Sequence, residues 1–425
     1  MRAFLGLFVV PALMVAGVPG WAQTPPATPQ EQMESQPEPG EHDTVTSRAR
    51  PEYDPLGVRL GGFFLYPKAE ITEFYRDNIF YRDSNKESDF VTVLSPELLL
   101  KSNWNNHALN FFAGADVGRH LDNTAENYED WHAGFDGRVD IDRSFNVSGG
   151  FQYAEKHENR SSPTSQTGAS EPVTYTEYGP SAAITKRFNR LSMRLGGDLT
   201  VLDYKDTTAN DGTHLEQDTR DRMETEQNFR LGYEIAPQYE AFVRAAINQR
   251  EYDNPGTTNR DSDGWETRAG IALDLGGLMF GNVFVGYMSQ DFDDPTLKTI
   301  DGASFGGDLT WNPTRLTTAK FLVQRTIEET TLGGAAGALS TLFRAGVDHE
   351  LLRNVILSAN AEYENNDYEG ISREDDIIAL GAGGDYLLNR YLRLRLSYTY
   401  ETRDSTAADS DYDTNTVFLR LVTQY

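Results

Sequence analysis

From residue 57 to the C-terminus, apolar and polar positions alternate with a period of two, which predicts strands with one apolar and one polar face. The stretch 391–425 shows the pattern in full. Leu392, Leu394, Leu396, Tyr398 and Tyr400 alternate with Arg393, Arg395, Ser397, Thr399 and Glu401. After an acidic loop at 404–411, Val417, Leu419, Leu421 and the terminal Tyr425 share one face, and Thr416, Arg420 and Gln424 share the other. Further upstream, Leu109, Phe111, Ala113, Ala115 and Val117 oppose Asn110, Gly114, Asp116 and Gly118, and Trp131, Ala133, Phe135, Val139 and Ile141 oppose His132, Asp136, Arg138 and Asp140.

Two kinds of connection separate these strands. Short ones lie at 103–106, 142–144, 188–190, 236–238, 276–280, 312–314, 352–353 and 388–390. Long, polar ones lie at 76–89, 120–129, 157–172, 205–220, 253–263, 292–300, 328–340, 365–373 and 404–411. The two kinds alternate strictly, as in a transmembrane barrel with tight periplasmic turns at one rim and longer loops at the other. The fold class predicted is therefore all-β: an antiparallel up-and-down transmembrane β-barrel of about 18 strands, with both termini on the periplasmic side. Its last strand, marked by Val417, Leu419, Leu421 and Tyr425, is expected to act as the assembly signal and to close onto the first near 63–75. A sandwich or propeller would not segregate its connections by length in this way. Strands two, six and sixteen alternate poorly, and Pro96 and Pro180 each remove a ladder donor.

A ring of about 18 strands is too wide for side chains to fill, so the apolar face belongs to lipid and the charged face to a wet lumen. A charge facing lipid at mid-depth costs roughly 2–4 kcal/mol, which decides the orientation. Alternation then puts Arg138, Arg194, Arg230, Arg244, Arg268, Arg344, Arg393 and Arg395 on the lumen face, with Asp136, Asp198, Glu226, Asp274, Asp308 and Asp348. These are the pore-lining candidates. Opposed charges across a lumen create a transverse field that tunes what passes, although the same residues could simply pair along the wall and keep it hydrated.

Composition narrows the rest. The chain has 425 residues, a formal net charge of -27 and no cysteine. An acidic chain without a basic stripe is unsuited to nucleic acid. The absence of cysteine removes disulfides and thiolate chemistry. Arg2, the apolar run 3–18, Gly20 and Ala22 predict a secretory signal peptide over 1–22, and no Cys follows for a lipid anchor. Residues 23–56, rich in Pro, Gln, Glu, Thr and Ser, have little to bury and are expected to form a disordered periplasmic tail. The barrel occupies 57–425.

Little in the chain points to catalysis. The seven histidines, His42, His107, His120, His132, His157, His214 and His349, have no metal-ligand spacing. There is no phosphate loop and no nucleophile elbow, and the acidic clusters at 203–221 and 374–376 lack calcium-loop spacing. No catalytic residue, metal or cofactor is expected.

The start of the barrel carries a more specific signal. The segments 57–68 (GVRLGGFFLYPK), 73–80 (EFYRDNIF) and 90–96 resemble the outer-membrane family called β-barrel porin type 2. Tyr75, Asp77 and Asn78 match its Tyr-Asp-Asp-Asn-like element, with Arg76 in place of the first Asp. The resemblance implies a Gram-negative outer-membrane protein, often encoded beside exopolysaccharide export machinery, and carries over no site residues. The leading expectation is a conduit for secreted polysaccharide. The alternatives are a diffusion porin for small solutes, or a plugged structural or adhesion barrel acting through its acidic loops. Expected partners are outer-membrane lipid, the barrel assembly machinery and a polysaccharide or small solute. Loop 157–172 is the candidate for an inward-folded constriction.

Overall fold

The period-two segments form eighteen antiparallel strands whose ladder closes on itself. In a computed structural model, residues 42–425 are described, apart from 163, 164, 167, 255, 257 and 331. The first six strands are β1 (Phe63–Arg76), β2 (Asp89–Ser102), β3 (Ala108–His120), β4 (Tyr128–Asp142), β5 (Phe145–His157) and β6 (Thr174–Phe188). Next come β7 (Leu191–Tyr204), β8 (Arg222–Ala236), β9 (Tyr239–Tyr252), β10 (Ser262–Asp274), β11 (Met279–Phe292) and β12 (Ile300–Thr314). The last six are β13 (Thr317–Glu328), β14 (Gly337–Leu352), β15 (Val355–Glu369), β16 (Arg373–Leu387), β17 (Leu392–Ser405) and β18 (Tyr412–Gln424). Each pairs with its sequence neighbour, and β18 pairs with β1 over Lys68–Arg76 against Thr416–Gln424. The barrel is thus closed near the expected segment. Closure leaves no strand edge in lipid, where an unpaired backbone group has no partner.

The outward face carries the exposed apolar residues. Ile71, Leu94, Leu98, Val243, Ile271, Leu419 and Leu421 all stand on it, alternating with less exposed neighbours. Near the loop ends of the strands a belt of aromatics includes the stacked series Trp131, Tyr153 and Tyr178, and the pair Trp265 and Tyr287. Near the turn ends, Tyr391 stacks on Tyr425 with ring centroids 5.8 Å apart. Amphipathic rings at both ends of an apolar band mark the two membrane interfaces.

The two prolines break one ladder each and keep the other. Pairing of β2 with β3 stops at Leu94↔Val117 and resumes at Glu97↔Gly114, while Pro96 still faces Ala69 of β1. Pairing of β6 with β7 jumps from Tyr178↔Val201 to Ser181↔Asp198, while Pro180 faces Phe151 of β5. The poor alternation of β2 also has a cause. Val91 and Val93 point inward and pack with Phe74, Phe418 and Tyr128, an apolar cluster on the inner wall.

Side chains reinforce the closing seam at the loop rim. The Asp77 carboxylate accepts from the Asn415 backbone N–H and side-chain amide, each at 2.7 Å, and from the Thr414 hydroxyl at 3.2 Å. The Asn78 amide donates to the carbonyls of Asp413 at 3.0 Å and Arg82 at 2.7 Å. The Asp-Asn pair that carries the family likeness therefore ties the first strand to the last.

The chain before the barrel divides in two. Residues 1–41, with the expected signal peptide and most of the expected disordered tail, lie outside the described residues. Residues 42–56, assigned to the same tail, are laid along the periplasmic rim from β10 to β18. The Val45 N–H donates to the Thr318 hydroxyl at 2.8 Å, and Arg50 pairs with Glu350 at 2.7 Å and donates to the Val45 carbonyl. Asn312 donates to the Asp43 carbonyl, and Gln424 to that of Tyr53, both at 3.1 Å. Val45 and Arg50 are buried. The order comes from these polar contacts with the rim, which composition cannot register.

Candidate lumen and its constrictions

Strand register brings four of the candidate arginines into one row. Arg194 faces Arg230, Arg230 faces Arg244, and Arg244 faces Arg268, across β7 to β10. Like charges on adjacent strands repel unless countercharges lie between them. Glu240 binds Arg230 at 2.7 Å, Glu226 binds Arg244, and Glu266 lies 3.4 Å from Arg244 and 2.5 Å from Arg268. The guanidiniums of Arg230 and Arg268 also lie over Phe242 and Phe284, at 4.4 and 4.3 Å. Asp198 faces Glu226 in register. This part of the wall is an alternating lattice of cations and carboxylates.

The other candidates are dispersed. Arg138 pairs with Asp140 at 3.0 Å, and Asp136 accepts from the Asn110 amide at 2.7 Å. Arg344 pairs with Glu362 at 2.5 Å. Arg393 and Arg395 both face Asp385, at 3.7 and 3.6 Å. Asp308 accepts from Asn282. Asp348 binds Lys320 at 3.2 Å and the Ser358 hydroxyl at 2.8 Å. Asp274 meets His42 of the N-terminal segment at 2.9 Å. All fourteen stand on the strand face opposite the apolar one.

Two loops fold inward at the outer mouth. In loop 158–173, Glu158 is paired with Arg220 of the β7–β8 connection, with one contact at 3.0 Å, and Arg160 grips Glu126 of the β3–β4 connection at 2.6 and 2.9 Å. From the far wall, Arg403 of β17 donates to the Ser161 carbonyl at 3.5 Å. The second is the β13–β14 connection. The ladder between β12 and β13 begins only at Gly306↔Gln324, so the outer end of β13 parts from β12, while β14 stays paired with β15 out to Gly337↔Glu369. Ile327, Ala336 and Leu339 then pack on Met288 and Ile300. Glu329 reaches β9, where it pairs with Arg250 and accepts from the Tyr252 hydroxyl at 2.8 Å. Arg260 holds the same connection through the carbonyls of Ala335, Ala336 and Leu332, at 2.8, 3.1 and 3.4 Å.

Alternation identifies the wall but cannot find these bridges. The pairings of Arg250, Tyr252, Arg260, Glu158, Arg220 and Glu329 are set by the path of loops, and only the length of 157–172 hints at one of them. Among the described residues no group of three or more His, Cys, Asp or Glu side chains is arranged to hold a metal ion.

A closed eighteen-strand barrel with an apolar belt outside, a charged wall inside and loops folded into the mouth defines an outer-membrane, porin-like protein. The chain belongs to the family described as Putative beta-barrel porin 2, whose model matches residues 50–425. No curated protein matches it. Among solved structures it is similar to a BenF-like porin from Pseudomonas fluorescens Pf-5, with 12% identity, 86% of this chain and 100% of that chain covered, and a TM-score of 0.46. It is also similar to Pseudomonas aeruginosa OpdO, with 13% identity, 86% and 98% coverage and a TM-score of 0.45. A third likeness is to Pseudomonas aeruginosa OccK2 (OpdF) in complex with glucuronate, with 9% identity, 86% and 99% coverage and a TM-score of 0.46.

Proposed function

We propose that the barrel is a passive outer-membrane channel for small solutes. The observation that carries this reading is the pair of inward folds at the outer mouth, locked by Glu329 to Arg250 and Tyr252 and by Glu158 to Arg220. With residues 42–56 along the inner rim, the lumen is narrowed at both ends. That geometry disfavours the expected polysaccharide conduit, since a polymer needs an unobstructed bore. The fourteen charged candidates, Arg138 to Asp348 as named above, then serve as a hydrated wall that a solute follows, in a field set by their pairing. Residues 1–22 direct secretion, and Val417, Leu419, Leu421 and Tyr425 present the last strand to the barrel assembly machinery.

Purified protein in a planar bilayer is expected to give discrete conductance steps. Liposomes carrying it are expected to swell in small sugars, and gene deletion to leave exopolysaccharide output unchanged. A silent bilayer at high protein load would overturn the channel. It would favour a second reading suggested by the same inward folds, a plugged barrel that acts through its outer loops.

A further inference from the structure

We infer that the outer mouth holds a recognition cavity for an uncharged, hydroxyl-rich solute of sugar size, an inference that rests on the small-solute reading and names its substrate class. Between the inward folds lies a cavity of about 440 Å³, within the roughly 300–1,000 Å³ range of small-molecule sites. It is bounded by the connections β5–β6, β7–β8, β9–β10, β11–β12 and β13–β14, and by the outer ends of β7, β8 and β9. A solute entering between these loops meets it before the arginine row.

Three of the five charged residues in its lining are already paired with an opposite charge. Arg220 is paired with Glu158, Arg222 with Glu224 at 2.7 Å, and Glu329 with Arg250. Arg260 is taken up by three carbonyls. Among the described residues, Arg260 is the lining cation without a carboxylate contact, and against it stands one exposed anion, Glu216. At the three paired residues an ionic solute would have to displace an existing partner and leave a desolvated charge behind, which costs more than the new contact returns; Arg260 and Glu216, of opposite sign, leave the rest of the lining with no net charge. The remaining polar surface is neutral: the hydroxyls of Thr219, Thr258 and Thr330, with the backbone at Gly333 and Gly334. Hydroxyls that both donate and accept suit a ligand whose own groups do the same. At the floor, Arg222 lies 6.0 and 5.7 Å from the ring centroids of Tyr204 and Tyr252. Tyr204 is in turn packed under Arg220, 3.9 Å from its ring centroid, and stacked on Tyr175 at 5.0 Å, so the floor is a closed layer of planar groups.

Calorimetry on the full-length protein in detergent tests this with glucose, maltose, glucuronate and glucosamine. Saturable binding of glucose or maltose is expected, with glucuronate and glucosamine at least tenfold weaker. The double variant Thr258→Val with Thr330→Val is expected to weaken sugar binding about tenfold, the loss of two ordinary hydrogen bonds. It should leave heat-modifiable migration of the folded barrel unchanged, which separates loss of the site from loss of the fold. No saturable heat with either neutral sugar, or glucuronate or glucosamine bound as tightly as glucose, would overturn the inference. Because binding in detergent does not require transport, a silent bilayer would count against the channel, and the calorimetry would still decide the cavity.

Discussion

At the scale of single residues, the structure separates side chains that shape the lumen from those that merely occupy it. Glu329 is the clearest of the first kind, since its carboxylate joins the β13–β14 connection to both Arg250 and Tyr252. Glu329→Gln is expected to weaken that docking by about 3 kcal/mol, the usual cost of breaking a buried pair from one side. Larger and noisier single-channel currents would report it. A second residue tests loop chemistry. The Thr296 hydroxyl donates to Asp294 at 2.7 Å and the Thr296 N–H at 2.8 Å, and together they hold the Asp294 carboxyl below the ordinary carboxylate range. With the folded pKa depressed, the contribution to the turn is present above the ordinary value and is lost as pH falls through the lowered one. Thr296→Val should move the Asp294 titration, followed by carboxylate NMR, back up toward the ordinary range.

At the scale of elements, the two faces of a strand make opposite predictions. Leu421 of β18 lies on the lipid face, opposite Ile71 of β1 and Leu394 of β17. Leu421→Arg is expected to cost about 2–4 kcal/mol at mid-depth and to deplete the folded barrel from outer-membrane fractions. Arg395→Ala, on the other face of β17, should leave barrel yield unchanged and alter conductance. For the N-terminal segment, Arg50→Ala removes its buried anchor on Glu350, so an increase in conductance is expected as the periplasmic mouth opens. The strands were legible in the sequence because lipid on one side and water on the other impose a two-residue period that each strand must satisfy by itself. Loop paths were not, because Glu329 and Arg250 are 79 positions apart and nothing local to either announces the other. The order of residues 42–56 was hidden for a related reason: its partners, Thr318 and Glu350, belong to strands far along the chain.

At the scale of the whole molecule, the net charge of -27 sets an electrostatic expectation that the paired lumen does not cancel. Channel currents across a KCl gradient should show cation preference at 0.1 M salt or below. The preference should fade near 1 M, where the Debye length shrinks from about 10 Å to 3 Å; a preference unaffected by salt would place selectivity in close contacts instead. The closing seam has a different consequence. Asp77 meets Asn415, and a slip of β18 by two residues keeps every side chain on its proper face, so hydrophobicity cannot detect the mistake. In one direction, however, the slip would set Asp77 against Asp413, carboxylate against carboxylate; in the other it would set Asp77 against Val417, whose side chain offers no hydrogen bond. The join between first and last strands thus contains its own error check, and an Asp77→Ala barrel should close in more than one register, seen as heterogeneous cross-linking between cysteines placed at Tyr75 and Val417.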